Sequence, residues 1–291
     1  KRSKMTMMMT LLFGVVTLPS FATSTTCECP PPSQGHSPLS KNHGDAVYLG
    51  DGCFWHTQYD FYLVELEAPF NRTVDTVTSR TGYGGSIGNG PNTHMVCYPV
   101  GPDWSTPSPP GTFYGYPTGL GYAESAQVVL DKEPTLASAQ FAALAVKFFK
   151  AFNCGPGSDG ICYRQDPGDS GRDYRSIVGV PGGVKGSLYP ILIKHNVNNM
   201  TIKEGDGGNN DDSVDEGTVY VYDTLKYPFY RASTWHQMHT NDVLGRPVPP
   251  SYTNDAKNAA LARGWINKTC AENPNAGTNI EDIRNIPPCT C

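Results

Sequence analysis

The sequence predicts a mixed α/β (α+β) domain over residues 45–245, with an extended arm before it and a tail after it. Three observations predict it. Short apolar runs of strand length recur along this stretch. Two longer runs place apolar residues at helical spacing and alternate with them. The flanks differ in composition: 23–44 is rich in Ser, Thr and Pro, and 246–291 is Pro-rich and ends Cys289-Thr290-Cys291. Strands alternating with helices are the pattern of a sheet covered by helices.

The elements follow in order. Ala46 to Leu49 reads as a short buried strand, closed by Gly50-Asp51-Gly52. Phe54 to Leu66 reads as a helix, because Tyr59, Leu63 and Leu66 recur at helical spacing and Pro69 stops it. Thr73 to Ser79 alternates like a half-buried strand and leads into Gly82-Tyr83-Gly84-Gly85. Residues 86–121 are rich in Gly, Pro and aromatics and read as a long surface loop. Ala126 to Leu130 is strand-like. Leu136 to Phe152 is a helix, with Phe141, Leu144, Ala145, Phe148, Phe149 and Phe152 on one broad face. Strands are expected at Arg175 to Val180, Tyr189 to Lys194 and Thr218 to Tyr222, the last two separated by the acidic, Asn/Gly-rich stretch Asn196 to Gly217. The tail carries a short helix over Asn254 to Trp265.

Composition narrows the function classes. A net charge of -5 leaves no basic footprint for nucleic acid. No apolar run reaches the roughly 20 residues that span a bilayer. Lys1, Arg2 and Lys4, the apolar run Met5 to Leu18 and the small residues Ser20-Phe21-Ala22 read as a secretory signal over 1–22. The triplets beginning at Asn71, Asn199 and Asn267 are candidate glycosylation sites, which agrees with export. An oxidising compartment favours paired cysteines. The chain has nine, so four disulfides would leave one thiol over.

Cys53 is the best candidate for the unpaired thiol. It stands between Gly50-Asp51-Gly52 and the helix beginning at Phe54. Unsatisfied N–H groups and the partial positive charge of a helix N-terminus favour thiolate over thiol, so a depressed pKa is expected there. A buried structural cysteine at a strand end is the competing reading.

The residues around Cys53 carry a resemblance. Gly52-Cys53-Phe54-Trp55 resembles the Gly-Cys-Phe-Trp signature of the A-type peptide methionine sulfoxide reductases. Thr81 to Gly85 is similar to the family's Gly-Tyr-x-Gly-Gly turn, and Pro91 to Cys97 to its Pro-x-Tyr-x-x-Val-Cys segment. Gly121-Tyr122-Ala123-Glu124 resembles its Gly-His-Ala-Glu strand. Arg164-Gln165 and Gly168 to Ser176 resemble its Arg-Gln-Gly-Asn-Asp-x-Gly-x-Gln-Tyr-Arg-Ser block, and Phe229 to Gln237 its Phe-Tyr-x-Ala-Glu-x-x-His-Gln. The matches run in order over roughly 46–237 and leave out the arm and the tail.

The resemblance implies a ferredoxin-like two-layer sandwich core and a peptide-methionine (S)-S-oxide reductase. It implies Cys53 as the nucleophile and Glu124 as the acid that protonates the departing oxygen. Glu124 must then hold its proton near neutral pH. Asp169 and Tyr174 match the positions that order the hydrogen bonds of the site. Phe54 and Trp55 match the apolar wall for the substrate's S-methyl group, where sulfur–aromatic contacts favour binding. No metal or organic cofactor is implied. The substrate would be oxidised proteins or free methionine sulfoxide, the reductant a dithiol such as thioredoxin, and the protein a monomer.

The sequence departs from the family pattern in five places. His56 stands where a Gly usually follows the Trp and is expected to face solvent, and Gln58 replaces a Glu. No Tyr stands near Thr93, where the second active-site Tyr should fall, although His94 and Tyr98 are close. Asn153-Cys154-Gly155-Pro156 replaces the family's His-Asp-Pro turn. A C-terminal Gly-rich tail bearing the resolving thiols is not reproduced. Cys270, Cys289 and Cys291 are candidate resolving thiols, but Cys27-x-Cys29 and Cys289-x-Cys291 fit a staple between arm and tail equally well. Cys154 and Cys162 flank a short loop and are expected to bridge each other. The rival to the enzyme is a catalytically impaired secreted binding or structural protein on the same scaffold. A general thiol oxidoreductase would need a Cys-x-x-Cys motif, which the sequence lacks. His236-x-x-His239 has no third metal ligand at suitable spacing, and Asp206 to Glu216 lacks the glycine of a calcium loop.

Overall fold

The computed structural model describes residues 44–87, 96, 114–115, 119–155, 162–207, 217–232, 234–239 and 245–266. The signal segment, the arm, Thr93, His94, Cys97, Tyr98, Asn267, Cys270, Cys289 and Cys291 lie outside the described residues. The expected staple and resolving thiols lie there too.

The elements are β1 (Ala46–Gly50), α1 (Phe54–Leu66), β2 (Arg80–Gly84), β3 (Ala123–Val129), α2 (Pro134–Lys150), β4 (Phe152–Asn153), β5 (Tyr163–Arg164), β6 (Ser176–Val180), α3 (Tyr189–Lys194), β7 (Thr201–Glu204), β8 (Thr218–Asp223), β9 (Tyr230–Arg231) and α4 (Lys257–Ala262). Seven strands form one sheet in the order β7-β8-β6-β1-β3-β2-β9. Its centre is the unit β1-α1-β2-β3-α2-β6, with β6, β1, β3 and β2 side by side and antiparallel. That is the ferredoxin-like arrangement expected from the sequence. β8 and β7 extend it in parallel beyond β6, and β9 closes the other edge against β2.

The pleat sends alternate side chains to opposite faces. Val47 and Leu49 of β1, with Ala126 and Val128 of β3 and Val178 and Val180 of β6, meet Phe61 of α1 and Phe141, Leu144, Phe148 and Phe149 of α2. Tyr48 of β1 joins the other face, with Ile177, Tyr220, Tyr222, Tyr227 and Phe229. Burying a side chain of this size is worth about 1.5–3 kcal/mol, so the α2 face dominates the stability of the sandwich. Local signals agree with the packing of α2. Glu133 caps it by accepting from the N–H of Thr135 (3.0 Å) and Leu136 (2.6 Å), Pro134 opens it, and Lys147 and Lys150 sit in its last turn.

Helix α1 spans the residues expected, but it is buried on two sides. Phe61 faces the sheet, whereas Tyr62 packs with Val77, Met238, Tyr252, Ala256, Ala260, Trp265 and Ile266. The described part of the chain after residue 245 is therefore seated on α1. Gln58 ties this layer together. Its amide nitrogen donates to the Ser79 carbonyl at 3.0 Å, and its oxygen accepts from the N–H of Met238 at 2.8 Å and the hydroxyl of Tyr252 at 3.2 Å.

Four sequence expectations are corrected. Thr73 to Ser79 is not a strand: turns close on the Thr73 carbonyl, and the N–H groups of Thr78 and Ser79 donate to the buried Glu65 carboxylate instead of a ladder. The strand begins at Arg80. Tyr189 to Lys194 is the helix α3, opened by Pro190, and a six-residue apolar run does not distinguish the two by periodicity. The acidic, Asn/Gly-rich stretch Asn196 to Gly217, for which no strand was expected, contains β7, whose Thr201–Glu204 backbone pairs with β8. The tail helix starts earlier than expected, as a wide turn over Ser251–Ala256 after Pro250, and runs on through α4.

Candidate active site

Cys53 sits at the junction of β1 and α1, in extended backbone just before the first helical residue. It is 7% exposed and is the one free cysteine among the described residues. Two N–H groups at the start of α1, that of the capping Cys53 and that of the first helical residue, have no intrahelical partner, and two carboxylates take them. The Cys53 N–H donates to Asp169 Oδ2 at 2.7 Å, and the Phe54 N–H donates to Glu124 Oε2 at 3.0 Å. Gly52 makes the first of these contacts possible. Its φ is +119°, and a Cβ there would stand 2.4 Å from Asp169 Oδ2.

Glu124 reaches this point from β3, opposite Tyr83 of β2. Its second oxygen accepts from the Tyr114 hydroxyl at 3.0 Å. Tyr114 is buried, stacks on Tyr83 with ring centres 4.8 Å apart, and hydrogen-bonds to the Tyr174 side chain. A buried tyrosine hydroxyl from the aromatic loop thus reaches Glu124, which sequence reasoning passed over. Its only signal was the cluster of aromatics and glycines at Thr112 to Tyr116, and nothing in that pattern sets a register against β2.

The remaining residues frame the thiol. Arg164 donates to the Asp169 carbonyl at 3.0 Å and so fixes the loop that carries this carboxylate. Arg175 donates to the carbonyls of Gly85 and Gly121, holding the loops that flank β2 and β3. Phe54 and Trp55 pack with the Cys53 cluster, and the imidazole of His236 lies against both rings. Trp55 is also stacked on His239 at 3.9 Å. Among the described residues no group of three His, Cys, Asp or Glu side chains is arranged to hold a metal ion.

Burial sets the electrostatics. It pushes Glu124 up to about 8, with repulsion from Asp169 adding and the Phe54 N–H and Tyr114 hydroxyl easing it. It pushes Asp169 up to about 6, eased by the Cys53 N–H and by His56. At neutral pH Glu124 therefore holds a proton and Asp169 does not. Cys53 runs against the sequence expectation: burial, then Glu124 and Asp169, push its thiol well above the usual range. Burial and the two acids outweigh the Trp55 N–H, which still favours the thiolate.

His56 is likewise corrected. It is fully buried, and its Nε2 pairs with Asp51 Oδ1 at 3.4 Å. Cys154 and Cys162 form the expected disulfide, with their Cα atoms 4.4 Å apart. Asn71 and Asn199 lie exposed, both with positive φ. Among the described residues no helix is long and apolar enough to cross a membrane.

No known family model matches the chain, and no curated protein matches its sequence. Among solved structures it is similar to methionine sulfoxide reductase A of Corynebacterium diphtheriae, at 19% identity, with 75% of this chain and 91% of that one covered and a TM-score of 0.38. It is also similar to Mxr1 from Saccharomyces cerevisiae in its reduced form, at 17% identity, with 71% and 89% covered and a TM-score of 0.34. Neither likeness, at these values, bears on activity.

Proposed function

We propose that the chain is a peptide-methionine (S)-S-oxide reductase with Cys53 as its nucleophile. The observation that carries the reading is one free thiol beside a buried carboxyl that keeps its proton to about pH 8. The Cys53 sulfur attacks the sulfoxide sulfur, and Glu124 protonates the oxygen as the S–O bond breaks. Methionine sulfur gains two electrons, Cys53 loses two, and the oxygen leaves on Cys53 as a sulfenic acid. The thiol proton restores Glu124. Tyr114 and Tyr174 supply neutral hydroxyl donors beside Glu124, which suits an oxygen that gains negative charge. Phe54 and Trp55 suit a methyl sulfide. Two equivalents of thiol then return the sulfenic acid to thiol and release water and a disulfide. The donor is an external dithiol of the thioredoxin kind, relayed by Cys270, Cys289 or Cys291 if the tail is not stapled. The signal-like segment and the sequons support a secreted location.

The test is epimer-resolved reduction of a peptide methyl sulfoxide with dithiothreitol. The S epimer should be consumed and the R epimer left. Turnover by the Cys53→Ser protein would sink the assignment.

A further inference from the structure

We propose that the Cys154–Cys162 disulfide is a positioning element of the candidate active site: it pins the register of the β4–β5 hairpin, so that Arg164 holds the loop whose Asp169 carboxylate takes the Cys53 N–H. The hairpin is a sheet of its own, separate from the seven strands, and its ladder is two residue pairs long. A two-stranded hairpin of that size is marginal without support. Phe152 faces Arg164 and Asn153 faces Tyr163. The next pair in the same register is Cys154 and Cys162, with Cα atoms 4.4 Å apart, close to the roughly 4.5 Å of a directly opposed pair. The disulfide is thus a third, covalent rung.

Register is what a covalent rung controls. Successive side chains of a strand point to opposite faces. Asn153 and Tyr163 are exposed, whereas Phe152 and Cys162 join the α2 core and Arg164 is buried. A slip by one residue would turn Arg164 outward and Tyr163 inward. Held inward, Arg164 donates to the Asp169 carbonyl at 3.0 Å, and the carboxylate of the same residue accepts from the Cys53 N–H at 2.7 Å. The loop also closes on its own groups: the Asp169 N–H donates to the Asp166 carbonyl at 3.1 Å, and the Gly168 N–H to Asp166 Oδ1 at 2.7 Å. Those bonds shape the turn, and the Arg164 guanidinium ties it to the hairpin. Stability alone is a poor reason for the bridge. It spans a separation of 8 residues, and the chain entropy that a disulfide removes grows with the loop it closes. The cysteines also fall where the sequence replaces the family's His-Asp-Pro turn, so the rung belongs to a departure from the family pattern.

The consequence for turnover rests on the reductase reading, but the coupling is measurable without turnover. The first experiment reads the Cys53 amide by NMR in the wild-type chain, in the double variant Cys154→Ala/Cys162→Ala, and in Arg164→Gln, which keeps the bridge. A short bond to a carboxylate should place that amide proton far downfield in the wild type. Both variants should move it upfield and speed its exchange with solvent by about tenfold, the order of effect of one lost hydrogen bond. Arg72→Ala loosens the other end of α1 and should leave the Cys53 amide where it is. A wild-type amide in either hairpin variant overturns the proposal and leaves the bridge a plain staple. An equal shift in Arg72→Ala overturns it as well, since the effect would then be one of stability alone. The second experiment measures reduction of a methyl sulfoxide. Both hairpin variants should lose kcat by about tenfold or more with KM little changed, because the backbone of the thiol is displaced and the Phe54 and Trp55 wall is not. A wild-type protein with no turnover would instead fail the reductase reading and leave the amide experiment to decide the coupling.

Discussion

Glu65 and Glu124 are both buried, at 0% and 1% exposure, and they have become different things. Glu65, in the last turn of α1, accepts from the Thr78 N–H at 2.7 Å, the Thr78 hydroxyl at 2.9 Å and the Ser79 N–H at 2.6 Å, and it is ion-paired with Arg72. Arg72 in turn donates to the Val129 carbonyl at 2.6 Å. Glu124 has two neutral donors, the Phe54 N–H and the Tyr114 hydroxyl, and a second carboxylate nearby. Burial is the first cause that raises Glu124, and what separates the two residues is their partners: Glu65 has Arg72 and three close donors, Glu124 two neutral donors and a nearby carboxylate.

The contrast can be broken in order of effect. Cys53→Ser should lower sulfoxide reduction by more than about 10³-fold while leaving circular dichroism unchanged, since it removes the proposed nucleophile and not the carboxylate frame. Arg72→Ala leaves Glu65 buried without its cation, which costs about 3–5 kcal/mol; urea unfolding should read this loss, with kcat per folded molecule preserved. Glu124→Gln keeps the shape and removes the proton donor. It should cost about 10²-fold in kcat and erase the alkaline limb near pH 8.

The same variant carries a stability signature of opposite sign to Arg72→Ala. The carboxyl titrates at about 8 in the fold, against an ordinary 4.5. Below the ordinary value both folded and unfolded chains hold the proton and nothing is lost. Between the two values the unfolded chain ionises first, so the wild-type fold loses stability as pH rises. Glu124→Gln should therefore match the wild type near pH 4 and melt higher than it near pH 8. Equal melting at both would mean that Glu124 is not held neutral. Tyr114→Phe is the smallest change. It removes one donor, so kcat should fall about tenfold and the alkaline limb should move up.

How far this was legible from sequence depends on how local each signal is. The α1 boundaries came from apolar spacing and Pro69, whereas the helix expected over Leu136 to Phe152 from its apolar face runs over Pro134–Lys150, started by the Glu133 cap that spacing does not show. The Thr73 to Ser79 strand failed because Glu65, more than ten residues back, claims its N–H groups. Cys53, Glu124, Asp169 and Tyr174 stood out through motifs, yet their meeting needs a strand and a loop 70 and 116 residues downstream. Tyr114 lay in a loop with no periodicity to place it. His56 looked solvated because no pattern along α1 shows that the helix is buried on both sides.

By itself the sequence determined the alternation of strands and helices, which rests on spacing within a turn or a strand, and its motifs raised the ferredoxin-like expectation and singled out Cys53 and Glu124 as candidates through a resemblance. Only the tertiary structure decided the protonation of the site. A pKa is set by which charges and N–H groups lie within a few ångströms and how little water remains, and β1, β3, α1 and the Asp169 loop reach that point from distant parts of the chain.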